Sequence, residues 1–159
     1  KIAEIDYYYW LGDSTMAKSL LNSISVSNLN NADELVNVSN FFIKEKRYNE
    51  SARLLEKANV LSPNNFVVLY NLGVCYYNLS EESFNQYNQL ALNDPNSKEA
   101  ADYKEESNQY MTKSASYFES ARLLEPRDLS LLNTLKAIYA RQQSPKYDEI
   151  DKLIKEIEK

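Results

Sequence analysis

The chain has 159 residues, enough for one domain or one short repeat array and a tight fit for two domains. Apolar residues at 43% and charged residues at 26% exclude a disordered or fibrous chain, and the net charge of −5 is interspersed, leaving no basic surface for nucleic acid or anionic lipid. Two glycines, Gly12 and Gly73, leave almost no material for tight β-hairpins or phosphate-cradling loops, which points to an all-α chain.

In chain order, Leu11-Gly12 reads as the end of a first helix, and Asp13 or Ser14 as the cap of a second. A loop rich in Ser and Asn follows from Ser25 to Asn31. From Ala32 onward Leu35, Val38, Ser39 and Phe42 recur at helical spacing, and the next helix carries Ser51, Leu55 and Ala58 before Pro63. The pattern restarts at Phe66 with Leu69, Leu72, Gly73 and Tyr76, and closes with Ser114, Phe118 and Ala121 before Pro126. A last pair begins at Leu129, with Leu132, Leu135 and Tyr139 on one face, and passes Gln142 to Pro145 into Tyr147, Ile150, Ile154 and Ile157. The prolines punctuate helices.

Two segments therefore share one spacing, small-x3-large-x2-Ala-x4-Pro, and their units start 34 residues apart, at Ala32 and Phe66. This resembles the tetratricopeptide repeat, whose signature is W-x2-L-G-x2-Y, A-x3-F and P over about 34 residues. The resemblance implies an α-α superhelix, a right-handed solenoid of antiparallel helix pairs. It divides the chain into a partial N-terminal repeat over 1–31, a repeat over 32–65, a repeat over 66–128 and a C-terminal capping repeat over 129–159. The array reads as a fragment of a longer one. Extrapolating the period backwards puts Ala17, Leu21 and Ile24 on the small-large-small positions, which competes with reading Leu11-Gly12 as the pair of an earlier helix. In the last unit Lys136 stands at the glycine position, and the Glu and Lys residues from 148 to 159 suit a capping helix with no further repeat over it.

The third segment carries 29 residues more than the pattern requires, from about Ser80 to Lys113, broken once at Asn93-Asp-Pro-Asn-Ser97. That is the mark of an αα-hairpin turn. Ala100, Tyr103, Ser107, Tyr110, Ser114, Tyr117, Ala121 and Leu124 form a heptad seam that Leu69, Leu72, Tyr76, Leu79, Ser83, Tyr87 and Leu90 can face, so both helices of this repeat should be extended.

The resemblance also implies a concave groove lined by the first helix of each pair. Some members use two asparagines and three cations there to clamp a C-terminal carboxylate. Asn40 and Asn71 match the asparagines, but the cation positions are Val36, Ser130 and Thr134, which disfavours such a clamp. The groove that remains comprises Asn40, Ile43, Lys44, Tyr70, Asn71, Tyr77, Asn78, Asn133, Ala137 and Arg141, a polar and aromatic surface suited to peptide main chain. Tyr76, Tyr139, Tyr110 and Tyr117 are assigned to the core or the seam.

The chain has no histidine, no glycine-rich phosphate loop and no Cys/His metal spacing, so no catalytic, cofactor-binding or metal site is expected. Glu81-Glu82 and Glu105-Glu106 read as solvated surface, and Cys75 as a buried thiol. No run of 18 apolar residues exists to span a membrane. Lys1 in first place suggests a processed or truncated chain. The expected function is a non-enzymatic scaffold that binds a protein or peptide. The alternatives are an assembly element that forms a homo-oligomer through the projecting hairpin, or a glycan-binding helical-repeat protein. Bacterial periplasm or cell envelope is favoured over cytoplasm.

Overall fold

A computed structural model describes residues 1–159 as eight α-helices and one 3₁₀ turn, with no strand. The helices pair as sequential antiparallel hairpins, which makes the fold an all-α, tetratricopeptide-like helical repeat. They fall into two compact units, residues 1–63 and 64–159. No helix is long and apolar enough to cross a membrane.

The first unit holds α1 (Ile2–Leu11), α2 (Ser14–Asn22), α3 (Ala32–Lys44) and α4 (Tyr48–Leu61), with the 3₁₀ turn Val26–Asn28 inside the Ser/Asn-rich loop. Asp13 caps α2 by accepting from the Met16 amide at 3.0 Å, and Asn31 caps α3 by accepting from Asp33 at 2.8 Å. Short polar side chains there satisfy amides that the first helical turn leaves without partners. Ile5, Ala17, Leu21, Leu35, Val38, Leu55 and Ala58 are fully or almost fully buried. The helix ending at Leu11 is the register that the structure adopts, and Ala17 and Leu21 lie in the hairpin partner α2.

The second unit holds α5 (Phe66–Asn93), α6 (Lys98–Arg122), α7 (Leu129–Arg141) and α8 (Lys146–Ile157). Asn65 caps α5, Ser97 caps α6 and Asp128 caps α7. Gly73 and Ser114 bring α5 and α6 close together, and the Ser114 hydroxyl donates to the Gly73 carbonyl at 2.9 Å. A Cβ at Gly73 would stand 2.8 Å from three ring carbons of Phe118, a side chain that is 1% exposed. The small residue is therefore a packing requirement. Burying Phe118 contributes about 2–3 kcal/mol before entropy is charged.

Two positions depart from the sequence reading. The seam ends at Ala121, because α6 stops at Arg122 and leaves Leu124 39% exposed in the following turn. Glu106 is no solvated carboxylate: it accepts from the Ser83 hydroxyl at 2.6 Å between the two long helices. Its polar character hid a role that only the pairing register of α5 and α6 defines. Cys75 is fully buried.

Three of the first-in-pair helices end alike. Gly12 after α1, Lys46 after α3 and Gln143 after α7 are left-handed, at φ +80°, +58° and +51°. The residue after each donates to a carbonyl five positions back: Asp13 to Tyr8, Arg47 to Phe42 and Ser144 to Tyr139. These bonds satisfy carbonyls that a helix end leaves open. Lys46 and Gln143 stand 14 residues after Ala32 and Leu129, and the same offset from Phe66 is Ser80, where α5 does not turn but continues to Asn93.

Candidate binding pocket between α5, α6 and α7

Two contacts fix the register of α5 against α7. The Tyr70 hydroxyl lies 3.2 Å from Ser130 Oγ, and Glu81 pairs with Arg141; both pairs are separated by 60 residues in the chain. The helices therefore run parallel, and the last residue of α7 lies level with Glu81. Residues 82–93 of α5 continue past that end, about 18 Å at 1.5 Å per residue.

Between these two ties lies a pocket of 570 Å³, lined from α5 by Val74, Tyr77 and Asn78, from α6 by Phe118 and from α7 by Ser130, Asn133, Thr134 and Ala137. Tyr77, Asn78, Asn133 and Ala137 come together here from the sequence-derived groove. Tyr70 stands one turn before Val74, half-buried, with its ring edge-on to Phe118 at 5.5 Å and tilted against Phe66 at 5.7 Å. Arg141 stands one turn after Ala137, its guanidinium 4.2 Å from the Phe84 ring centre while its charge meets Glu81. Nothing in the local sequence around Arg141 signals that engagement; the common 60-residue offset does. Asn71 is half-buried on α5. Asn40, Ile43 and Lys44 lie on α3 in the first unit, where Lys44 sits 3.9 Å above the Tyr9 ring.

The polar groups of the pocket are oriented by their own helices. Asn78 Nδ2 donates to the Val74 carbonyl, and Asn133 Nδ2 to the Leu129 carbonyl, both at 2.8 Å. The Thr134 hydroxyl donates to the Ser130 carbonyl at 2.9 Å. A side-chain oxygen against a backbone carbonyl would be repelled, so these bonds settle which end of each amide faces the helix.

A larger hollow of 720 Å³ lies on α6, α7 and α8, lined among others by Glu119, Arg122, Tyr139 and Lys146. Its charges are satisfied among themselves. Glu119 accepts from Tyr139, from Arg122 at 2.7 Å and from Lys146 at 3.3 Å. Burial opposes ionisation of Glu119, yet the Tyr139 hydroxyl and Arg122 hold its carboxyl below the usual value. Burial and the bond to Glu119 push the Tyr139 phenol well above its usual value. This group ties the hairpins together and offers little to a ligand, so the smaller pocket is the better binding candidate. No three His, Cys, Asp or Glu side chains converge on a metal-sized site.

No protein-family model matches the sequence, and no curated protein sequence matches it. Among solved structures, the chain is similar to the human IFIT1 dimer with m7Gppp-AAAA, at a TM-score of 0.71 and 14% identity. It is similar also to a monomeric mutant of IFIT1 with Gppp-AAAA, at 0.72 and 13%. The alignments cover 96% and 98% of this chain but 32% of each IFIT1 chain, so this chain spans about a third of their length. At that identity the likeness is one of fold.

Proposed function

We propose that the chain is a non-catalytic helical-repeat scaffold that holds an extended protein segment in the pocket between α5 and α7. The observation that carries this reading is the convergence of Tyr77, Asn78 and Asn133 on one open 570 Å³ space walled by three helices. That volume admits one or two side chains, and amide and hydroxyl groups beside an aromatic wall suit peptide main chain. The array fragment with an extended hairpin stands as part of this reading, and the partner is a protein or peptide.

Asn78→Ala with Asn133→Ala is the test, with partner recovery read by pull-down. Tyr70 and Tyr77 are unsuitable as probes because both rings pack against the core. Loss of recovery with an unchanged melting curve supports the pocket; full recovery sinks it.

A second reading, assembly through the long hairpin, is favoured by the twelve residues of α5 beyond α7 and by Leu92, 85% exposed near the tip. Removing residues 80–113 and measuring mass by light scattering decides it. A chain that is monomeric before and after the deletion rejects assembly through the arm.

A further inference from the structure

The pocket is polarised, and its polarity selects the ligand. Its three oriented side chains spend protons on their own helices: one N–H each from Asn78 and Asn133, and the Thr134 hydroxyl proton. What the two amides turn away from those helices are the oxygens Asn78 Oδ1 and Asn133 Oδ1, while Thr134 Oγ1 stays against its helix with lone pairs to spare. One N–H remains on each amide, and the Tyr77 and Ser130 hydroxyls can donate or accept. No charged side chain of either sign lines the space, and Arg141, one turn after Ala137 on α7, is engaged by Glu81 and Phe84. The Tyr77 ring forms part of the wall, with the apolar side chains of Val74 and Ala137 beside it. The whole chain carries −5.

We infer that this pocket reads a cationic side chain, lysine or arginine, projecting from an extended basic peptide segment. The inference rests on the scaffold reading above and adds the sign of the ligand. An ammonium or guanidinium brings three to five donors and no acceptor, the complement of the two amide oxygens. The aliphatic stem of either side chain packs along apolar wall while its head stays hydrated or bonded. The face of an aromatic ring attracts a cation within about 6 Å. The chain shows the same pairing on itself just beyond the pocket, where the Arg141 guanidinium rests on Phe84 beside the Glu81 carboxylate. A carboxylate or phosphate would meet oxygens with no cation to offset the repulsion. The pocket is thus the reverse of a carboxylate clamp.

Selection of a random 12-residue display library on the full chain tests this. The expected peptides share a Lys or Arg at one position, and changing it to Gln weakens binding at least tenfold. Ala137→Glu, at an exposed position of the wall, should tighten the same peptides about threefold at low salt, because it adds a full negative charge without breaking an amide bond that orients the pocket. Ala137→Lys, at an exposed position that tolerates the longer side chain, should abolish binding with an unchanged melting curve. Acidic peptides, peptides that need a free C-terminal carboxylate, or weakening by Ala137→Glu overturns the inferred polarity and leaves the scaffold reading standing. Binding of Gppp-AAAA to the peptide-free chain that Ala137→Glu weakens also overturns it, in favour of an anionic ligand. Peptides indifferent to Ala137→Lys overturn the pocket reading itself.

Discussion

Ser80 and Ser107 exchange hydrogen bonds across the α5–α6 seam: Ser80 Oγ donates to the Ser107 carbonyl at 2.8 Å, and Ser107 Oγ to the Ser80 carbonyl at 2.9 Å. Both residues are buried. Ser80 occupies the position at which α3 and α7 turn back, so the reciprocal pair stands where a reversal would otherwise be. Each bond contributes about 1 kcal/mol net, and a larger side chain there would wedge two close helices apart at a cost of about 1–3 kcal/mol. Ser80→Ala should lower stability by about 1 kcal/mol and Ser80→Leu by more, with urea denaturation as the measurement. In a double-mutant cycle with Ser107→Ala the two losses should not add, since each removes part of the same exchange.

Gly73→Ala sets two effects against each other. Alanine favours a helix by about 1 kcal/mol over glycine. Its methyl would stand 2.8 Å from the ring of Phe118, a side chain that is 1% exposed. Overpacking costs about 1–3 kcal/mol and wins, so the variant should melt lower than the wild type. Gly73→Ala with Phe118→Leu should recover part of the loss, because the shorter side chain vacates the clash.

The left-handed helix ends give opposite expectations for like residues. Lys46→Gly and Gln143→Gly remove a Cβ from a conformation that costs an L-residue about 1–2 kcal/mol, offset in part by the freer unfolded chain. Each should raise the melting temperature. Gln142→Gly, one residue earlier at φ −77°, gains nothing and should lower it. Gly12→Ala, at φ +80°, should lower it as well.

Acid should loosen the α6–α7–α8 junction through Glu119. Its carboxyl is held below the usual value, despite burial, by the Tyr139 hydroxyl and Arg122, so the folded state favours the ionised form. The stabilisation is full above the unfolded carboxyl value, near pH 4.3, and disappears as pH falls through the lower folded value. Glu119→Gln should therefore cost about 1 kcal/mol at neutral pH after allowance for its partial exposure, and the difference from wild type should vanish in strong acid. Urea unfolding at a series of pH values reads both limits.

The helix pairs were legible because each carries its core on a 3.6-residue stripe and its ends in short polar caps. Gly12 and Asp13 mark termini by local chemistry alone, and the structure uses both at helix boundaries; the caps Asn31 and Asn65 emerge only with the structure. Contacts between elements were harder to read. Glu106 looked like surface until the register against Ser83 was known, and Leu124 kept the heptad spacing one turn beyond the helix that carried it. The pocket was half visible: its residues could be named from position in the repeat, whereas the direction of the Asn78 and Asn133 amides depends on bonds to their own helices. No spacing in the sequence encodes that orientation.

The end of α7 level with Glu81 leaves the outer part of the α5–α6 hairpin without that brace, while the two helices still hold each other there through Ser83 and Glu106. With about 18 Å of helix beyond Glu81, a tilt of the hairpin by 10° would carry its tip by about 3 Å. A reporter group on Leu92, 85% exposed, would read such a tilt.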